Sequence, residues 1–379
     1  MTVSRRKTLA LIGGGTIVAA TAAFGYDITR LPTTAQLPWE RAGSYDDPRM
    51  RALSWAILAP NPHNRQPWMV DLSRPDTATL HVDTTRLLPH TDPFNRQITI
   101  GLGCFLEVLR IAALEDGLAV DTELFPEGSD PDALDTRPVA VCRFRPSDTG
   151  PDPLFAQVPR RRSLKEPFDT TRPLQAAELQ TLEAAAIHGT MVGTTIAESD
   201  ITELRALSRE ALRIEIETPR TYRESVDLFR IGRREVDASP DGIDFTGPVF
   251  EGLARAGLFT REIALDTGST AYQQGLAAVY ANTDTAMGYV WQVTEGNTRM
   301  DQLSAGRDWV RINLAATALG IGTQPLSQAL QEYPEMGALH RDIHGRLAPD
   351  GGTVQMWARL GYGPDVGPAP RWPLEEKIA

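Results

Sequence analysis

The chain is poor in cysteine and has no excess of positive charge. Only two cysteines occur among 379 residues, Cys104 and Cys142, and each lies in an apolar run. Two are too few for a disulfide framework, so we expect two buried thiols, with a single disulfide between them as the alternative. The formal net charge of -11 argues against a partner such as nucleic acid or an anionic membrane, because those surfaces need a positive field.

Several common catalytic signatures are also missing. The sequence contains no Gly-x-Ser-x-Gly nucleophile elbow and no phosphate loop that ends in Gly-Lys-Ser/Thr. The stretch "GLGC" at 101–104 lacks the third glycine of a dinucleotide fingerprint and falls inside a helical pattern. His340 and His344 have a spacing that could bind zinc, but no third ligand cluster accompanies them. We therefore predict no metal site.

The first thirty residues differ in kind from the rest. "SRRKTLALIGGGTIVAATAAFGY" sets Arg5 and Arg6 before an uncharged run that is too rich in Gly and Ala for a membrane span, and small residues near Ala22 suit cleavage. This pattern predicts a twin-arginine signal peptide over residues 1–30, with the twin-arginine translocase as a partner and a periplasmic or other extracytoplasmic location. "SRRKTL" resembles the twin-arginine consensus but lacks its usual Phe. A weak uncleaved anchor is the alternative.

Residues 31–148 form the first of two predicted units. Apolar residues at helical spacing and short alternating runs predict two helices and three strands. They are a helix over 46–59, strands at 68–72 and 79–83, a helix over 97–116 and a strand at 139–144. The helix over 97–116 is apolar almost all round, which predicts that it lies buried at the centre of the fold.

Residues 149–379 form the second predicted unit. It contains strands at 190–197 and 353–362 and a second, nearly all-apolar helix over 306–322. Between residues 215 and 300 strand signals are few, and the turn-rich stretch "DASPDGIDFTGP" interrupts the pattern. We interpret 215–300 as a helical insertion with a mobile loop, a candidate lid.

The two apolar helices resemble each other in sequence. Small residues recur at a constant separation, since Gly103 to Gly306 and Gly117 to Gly320 both span 203 positions. The pattern favours a diverged internal duplication. Independent selection of small residues for tight helix packing is the alternative.

Two polar clusters stand out as candidate sites. "APNPHNRQPW" at 59–68 gathers His63, Asn64, Arg65 and Gln66 in one loop, where neither helix nor sheet can satisfy their side chains. The second cluster, "RRRSLK" at 160–165, places four cations around a serine in a strongly acidic chain. Guanidinium groups and a hydroxyl group are suited to binding a phosphate monoester. The alternative is that this cluster is simply a solvated basic surface.

Together these motifs resemble the nitroreductase superfamily of flavoproteins. "APNPHNRQPW" is similar to that family's Ala-Pro-Ser-x-x-Asn-x-Gln-Pro-Trp loop, and "RRSLKEPFD" is similar to its phosphate-gripping segment. "GIGTQPLSQ" and "GPAPRWPLEE" resemble later family segments. The order of the motifs departs from ordinary members and resembles the Acg-type branch, in which one chain imitates the dimer. The resemblance implies an α+β, nitroreductase-like fold of two fused halves, a pseudo-dimer with mixed antiparallel sheets packed on buried central helices.

The resemblance also implies FMN as the cofactor and assigns residues to it. Pro62, His63, Asn64 and Gln66 would border the flavin ring, whose polar edge would use the free donors and acceptors of the loop. Arg161, Arg162, Ser163 and Arg371 would hold the phosphate. Lys165 would lie near the N1–O2 edge, where a cation stabilises the negative charge of the reduced ring. Ser327 and Gln328 would lie on the N5 side, and no catalytic side chain is identified.

The expected activity is that of a nitroreductase-type, FMN-dependent oxidoreductase. Hydride would pass through flavin N5 to a small electron-poor aromatic or quinone, within a monomer that contains both halves of the pseudo-dimer. The electron donor is open, because nicotinamide donors are scarce outside the cytoplasm. The alternative is an exported flavin-binding protein, a carrier or sequestering protein without turnover.

We predict that export depends on the paired arginines. Changing Arg5→Lys together with Arg6→Lys should leave the protein in the cytoplasm, because the twin-arginine translocase reads both guanidinium groups. Cell fractionation followed by immunoblotting measures the distribution. Normal export of the double variant would show that residues 1–30 are not a twin-arginine signal.

Overall fold

The computed structural model describes residues 31–379, so the predicted signal at 1–30 lies outside the described residues. Two four-stranded antiparallel sheets flank a pair of long central helices. This architecture confirms the predicted α+β class.

The first half contains three helices and one sheet. In chain order the elements are α1 (Leu37–Arg41), α2 (Pro48–Ala56), β1 (Trp68–Asp71), β2 (Thr77–Val82), α3 (Arg96–Glu115), β3 (Leu118–Leu124) and β4 (Ala140–Pro146). Eighteen of the twenty residues of α3 are buried. By length and composition α3 could cross a membrane, but here it forms the centre of the core.

The second half repeats this plan around a second central helix. Its elements outside the insertion are α4 (Ala176–Ala184), β5 (Met191–Thr195), β8 (Gly288–Thr294), α11 (Arg299–Ala318), β9 (Gly322–Pro325), α12 (Gly337–Leu347) and β10 (Thr353–Gly361). Helix α11 begins with a capping box in which Thr298 and Asp301 bond to each other's backbone N–H. It therefore starts seven residues before the predicted helix over 306–322.

The two sheets have the same topology. Their strand orders are β1-β2-β4-β3 and β5-β8-β10-β9, and in each sheet the central helix connects the second strand to the third along the chain. Matched topology on both sides of matched helices is what a duplication produces. Selection for small residues alone would not produce it, so the structure favours the duplication.

Helices α3 and α11 meet at equivalent glycines. A Cβ added to Gly306 would lie 1.9 Å from the carbonyl oxygen of Ile100, and one added to Gly103 would lie 2.3 Å from that of Leu303. Ile100 and Leu303 are themselves 203 positions apart. The two helices thus touch through corresponding residues, as the subunits of a symmetric dimer would.

The insertion lies between β5 and β8, where the first half has only a short hairpin connection. It comprises α5 (Glu198–Glu217), α6 (Pro219–Asp227), β6 (Phe229–Ile231), α7 (Arg233–Ala238), β7 (Ile243–Phe245), α8 (Pro248–Arg255), α9 (Arg261–Leu265) and α10 (Thr270–Asp284). Strands β6 and β7 pair in parallel with each other.

The predicted helical insertion over 215–300 needs correction at both ends, because its first helix, α5, already begins at Glu198. Residues 288–294 form β8, which pairs with β5 on one side and β10 on the other. Six of its seven residues are buried, so the strand carries no alternation of apolar and polar residues that would mark it in the sequence.

The two cysteines are free and buried, as expected from their apolar surroundings. The thiol of Cys104 lies at the helix crossing, where its Sγ contacts the carbonyl oxygen of Gly306 at 3.1 Å. The alternative of a disulfide is excluded.

We predict that Gly306→Ala destabilises the protein. The added Cβ would overlap the Ile100 carbonyl oxygen, so the central helices must separate, at a cost of about 1–3 kcal/mol or more. Urea unfolding measures the loss. Gly345→Ala is the matched control: Gly345 also lies in a helix, no atom lies within 4 Å of its added Cβ, and the helix should gain up to about 1 kcal/mol. Equal stability of both variants would contradict the close helix contact.

Candidate functional site

The loop that follows α2 has an unusual backbone. His63, Asn64 and Gln66 adopt positive φ angles of 48°, 51° and 50°. Non-glycine residues rarely occupy this left-handed region, and clusters of them occur at functional sites, where the surrounding contacts compensate the strain. A hydrogen bond of 2.7 Å from the Gln66 N–H to Asn61 Oδ1 closes the loop. Pro62 packs against Gly101 of α3, whose missing Cβ leaves room for this approach.

The amide groups of this loop bind the C-terminal tail. Asn64 accepts a hydrogen bond from Arg371 Nη1 at 2.6 Å and donates one to the Pro370 carbonyl at 3.0 Å. Gln66 is fully buried, and its Oε1 accepts from the Trp372 N–H at 2.9 Å. From the sequence we expected these amides to be free for a cofactor. In the structure they are occupied, because they join residues about 306 positions apart.

Two buried arginines meet the carbonyl end of α2. Arg371 donates to the carbonyl oxygens of Ile57, Leu58 and Ala59 at 2.9–3.1 Å. Arg161 donates to the same Leu58 oxygen at 3.2 Å. The C-terminus of a helix carries partial negative charge, which favours cations there. The second half thus places both guanidinium groups against the first half.

The basic segment 160–165 continues this cluster. Arg161 also donates to Asn313 Oδ1 of α11 at 3.1 Å. Arg162 and Arg371 both lie over the ring of Trp39, at 4.9 and 5.5 Å from its centroid. Ser163 is half-buried directly after them. The predicted phosphate residues therefore come together in space.

The arginine cluster has no ion-pair partner in the described part of the chain, and only the more distant carboxylates of Asp365 and Asp244 act on its charge. Among residues 31–379, no carboxylate lies within ion-pair distance of Arg161, Arg162 or Arg371. Burial and repulsion from Arg161 lower the pKa of Arg371 to about 9, and burial lowers the pKa of Arg161 to about 10. Buried charges without counter-charges are costly. A dianion bound here would remove that cost, so the cluster suits a phosphate monoester.

His63 directly precedes Asn64, the residue of the loop that accepts a hydrogen bond from Arg371. The Nδ1 of His63 is buried without a partner in the described part of the chain. Burial and the positive charges of Lys165 and Arg65 lower the pKa of His63 to about 4. The imidazole is therefore neutral at physiological pH, with a ring nitrogen available to a ligand. Lys165 is exposed beside it.

Ser327 and Gln328 lie apart from the arginine cluster. They are half-buried on a turn beyond β9 that packs against α5 of the insertion. Within the described residues no side-chain hydrogen bond joins them to the loop 62–66 or to the arginines. Gln328 instead faces the carboxyl of Glu215.

The insertion covers the loop through Asp241. This buried carboxylate pairs with Arg65 and Arg86 of the first half at 2.9 and 2.7 Å, and with Arg230 of the insertion at 2.7 Å. Next to it, Gln66 Nε2 donates to the Pro240 carbonyl at 2.7 Å. The segment 240–242, read from sequence as part of a mobile loop, is thus fixed on the candidate site.

Sequence reasoning missed several residues of the site. Asn313, Trp39 and Asp241 carry no motif, and their partners are distant in the chain. Lys377 was missed as well: its Nζ donates to the Gln66 carbonyl at 2.9 Å, and burial together with the charge of Arg86 lowers its pKa to about 7. Unusual composition was the only signal for two of them, since Trp39 follows a proline and Asp241 lies in a Pro- and Gly-rich stretch.

A second cluster of cations lies at the end of α4, the helix that has the place of α2 in the second half. At the carbonyl end of α4, Arg311 donates to the Ala185 oxygen at 3.0 Å, as Arg371 does at the end of α2. Here, however, carboxylates are present. Glu107 pairs with Arg110 and Arg311 at 2.7 and 3.0 Å, and Asp152 pairs with the same two arginines at 3.1 and 2.8 Å.

The charge of the second cluster is therefore largely compensated by two carboxylates of the chain itself. Although burial alone would raise it, hydrogen bonds from His188 and Arg110 hold the pKa of Glu107 far below its usual range. The carboxylate stays charged at every physiological pH. Of the two equivalent positions, only the one at Arg161 and Arg371 is left with unpaired cations among the described residues.

An open surface hollow of about 350 Å³ lies beside the basic segment. Its lining residues are Pro167, Phe168, Asp169, Arg172, Tyr362, Gly363 and Pro364. None of the candidate residues lines it. The candidate site is instead enclosed by the loop 61–66, the C-terminal tail and the insertion.

Fold and site together define an α+β pseudo-dimer in which a cluster of arginines, without ion-pair partners among residues 31–379, lies between the halves. No protein-family model matches the chain. The chain is 25% identical over 338 residues to "Putative NAD(P)H nitroreductase" of Mycobacterium tuberculosis, covering 86% of this chain and 88% of the relative. It is 26% identical over 339 residues to "Putative NAD(P)H nitroreductase acg" of the same organism, covering 86% and 93%.

The solved structures include a nitroreductase-named protein of Anabaena variabilis. It is 12% identical, covers 90% of this chain and 93% of its own, and has a TM-score of 0.42. The two mycobacterial relatives match along nearly the whole chain. They confirm the resemblance to the nitroreductase superfamily, and to its Acg-type branch, that the motifs predicted.

We predict that Asp241→Asn weakens the docking of the insertion. Removing the carboxylate leaves the largely buried guanidinium groups of Arg65 and Arg230 without a counter-charge, whereas Arg86 keeps Asp83 at 2.9 Å, and the change should cost about 3–5 kcal/mol. Urea unfolding and limited proteolysis within 218–285 measure the loss. Asp244→Asn is the control, because Asp244 is exposed on the adjacent strand β7 and should change stability by no more than about 0.5 kcal/mol. Equal protease resistance of the two variants would show that Asp241 does not hold the insertion.

Proposed function

We propose that the protein is an FMN-dependent oxidoreductase of nitroreductase type. One observation carries the proposal: three arginines that form no ion pair with any carboxylate of residues 31–379 meet at the boundary between the halves, with Ser163 beside them. A buried group of this kind fits a phosphate dianion. Both mycobacterial relatives carry the name "Putative NAD(P)H nitroreductase", which supports the same chemistry.

The residues present fit FMN at its phosphate end. Arg161, Arg162 and Ser163 would hold the phosphate. Arg371 would contribute its positive charge rather than hydrogen bonds, because its five N–H groups already donate to Ile57, Leu58, Ala59, Pro370 and Asn64. When bound, FMN supplies hydride transfer at N5. The protein supplies orientation, a closed surrounding and electrostatics.

Residues of the loop in the first half would border the ring end of the cofactor. Neutral His63 offers its unpartnered Nδ1, and Pro62 shapes the same loop. Lys165 adds positive charge beside His63, where it would stabilise negative charge that builds on the ring at the N1–O2 edge. Asn64 and Gln66 act indirectly, since they hold the tail that carries Arg371.

The acceptor would be a small electron-poor aromatic or a quinone. A second function, flavin carriage without turnover, is favoured by one observation: Asp241 and Pro240 fix the insertion on the loop that would border the ring. A cofactor covered in this way would exchange electrons slowly with large partners. We further propose export by the twin-arginine translocase to the periplasm and a monomeric state.

Stopped-flow spectroscopy separates the two functions. The purified holoprotein is mixed with NADH, NADPH or a reduced quinol, and the bleaching of the flavin band is followed. Bleaching followed by re-oxidation with a quinone or a nitroaromatic supports the enzyme. A flavin that no donor reduces supports the carrier.

We predict that the basic segment binds the phosphate of FMN. Arg161→Ala or Ser163→Ala removes a hydrogen bond to a charged group, which costs roughly 1.5–3 kcal/mol, or about ten- to a hundredfold in FMN affinity. Riboflavin, which lacks the phosphate, should bind weakly and respond little. Fluorescence titration with both ligands measures the effect. Arg160→Ala is the control, since Arg160 is exposed beside the cluster. Equal losses for FMN and riboflavin would show an effect on folding instead.

We predict one FMN per chain. The second cluster of cations is already paired with Glu107 and Asp152, so a second phosphate would meet two carboxylates. Denaturing release of flavin, compared with protein concentration, should give a ratio near one (about half that if cofactor is lost in preparation). A reproducible ratio near two would contradict a single site.

A further inference from the structure

Residues 33–39, which we call the N-terminal strap, lie against the C-terminal tail that carries Arg371. The strap consists of a 3₁₀ turn at Thr34–Gln36 and the first residues of α1. Three hydrogen bonds of 2.8–3.0 Å join strap and tail: from the Arg371 N–H to the Ala35 carbonyl, from Gln36 Nε2 to the Pro368 carbonyl and from Trp39 Nε1 to the Ala369 carbonyl. The position of the tail therefore depends on the strap.

The strap also contacts the arginine cluster directly, through the ring of Trp39. Arg162 and Arg371 both lie over this ring, at 4.9 and 5.5 Å from its centroid. Burial and the charges of Arg161 and Arg162 lower the pKa of Arg371, because like charges repel one another. An aromatic face attracts cations, so Trp39 favours an arrangement in which Arg162 and Arg371 stay close together.

One carboxylate of the insertion fixes the beginning of the strap. Asp237 lies in the last turn of α7. Its Oδ1 accepts hydrogen bonds from the N–H groups of Thr33 and Ala35 at 3.0 and 3.1 Å, and from the hydroxyl of Thr34 at 2.9 Å. Hydrogen bonds to an ionised acceptor are stronger than those to a neutral one. Asp237 therefore holds three successive residues of the strap in place.

The same short segment of the insertion holds the loop of the candidate site. Five residues after Asp237, the Gly242 N–H donates to the Asn64 carbonyl at 3.3 Å. The side chain of Asn64 in turn accepts a hydrogen bond from Arg371. The insertion thus holds both segments that contact Arg371, because the strap binds its backbone N–H and the loop binds its guanidinium group.

We propose that Asp237 is a positioning residue of the phosphate site: by anchoring the strap, it keeps Arg162 and Arg371 in the arrangement that attracts a phosphate monoester. The inference rests on the proposed binding of FMN at the arginine cluster. Without a ligand the guanidinium groups repel one another, which favours displacement of the strap. A bound dianion attracts all of them and favours the bound position of the strap. Because such coupling is reciprocal, the strap strengthens phosphate binding by the same factor.

Fluorescence titration of the flavin-free protein with FMN and with riboflavin tests this role. Asp237→Ala removes the acceptor of three hydrogen bonds and should weaken FMN binding roughly tenfold. Riboflavin has no phosphate, so its affinity should stay the same and the ratio of the two affinities should fall. Asp237→Asn keeps an oxygen that accepts from the same N–H groups and should recover most of the loss.

Asp227→Ala is the matched control for this titration. Asp227 is an exposed carboxylate at the end of α6, also in the insertion, and its replacement changes the net charge by the same amount. This variant should bind both ligands as the wild type does. An unchanged ratio of FMN to riboflavin affinity in Asp237→Ala, or an equal fall in Asp227→Ala, would overturn the positioning role.

Hydrogen exchange measures whether the ligand and the strap are coupled. In the wild type, peptides that contain residues 33–39 should exchange more slowly with FMN bound than without it, because the N–H groups of Thr33 and Ala35 then stay bonded to Asp237. In Asp237→Ala this protection by FMN should disappear. Equal exchange of the strap in the free and the FMN-bound wild type would contradict the coupling.

The outcomes separate this inference from the proposed function. If the bound flavin is reduced and re-oxidised while Asp237→Ala binds FMN as tightly as the wild type, the oxidoreductase function stands and the role of Asp237 is refuted. If the wild type binds FMN no more tightly than riboflavin, the arginine cluster is not a phosphate site. The proposed function then loses its main support, and the positioning role fails with it.

Discussion

The contact between Gly103 and Gly306 sets the geometry of the whole molecule. Because neither residue has a side chain, α3 and α11 approach until backbone atoms touch, and the two sheets close around the pair. This approach brings the carbonyl end of α2, from one half, within hydrogen-bond distance of Arg161 and Arg371 from the other. Larger side chains at these two positions would separate the halves. The residues of the arginine cluster and their partners would then move apart, because they belong to different halves.

The sequence predicted those parts of the fold whose signals are local. The two central helices, the β1–β2 pair and β10 follow from apolar patterns within a few turns of chain. Strand β8 was not predicted from the sequence. Both of its faces are buried, so its sequence shows no alternation of apolar and polar residues. Strand β3 was also missed, since it follows Gly117 directly and reads as part of the connection after the helix.

The candidate site was predictable only as two separate groups. Composition marked the loop at 59–68 and the cations at 160–165, and resemblance linked them to one cofactor. No local signal could show that Asn64 binds Arg371, or that Gln66 binds Pro240 and Trp372, since these bonds join residues some 170 to 310 positions apart. The amides therefore position the tail and the insertion. The presence of amide donors and acceptors in the loop does not reveal which residues they bind.

The pairing of Glu107 and Asp152 with their arginines has a consequence for how such a chain can change. In a homodimer every substitution appears in both subunits, so both equivalent sites must keep the same residues. In a single chain with two halves each position varies alone. One half-site could acquire carboxylates that form ion pairs with its arginines and so join the two halves. Its counterpart could keep its positive charge for binding a ligand. Asymmetry of this kind is available only to a fused pair.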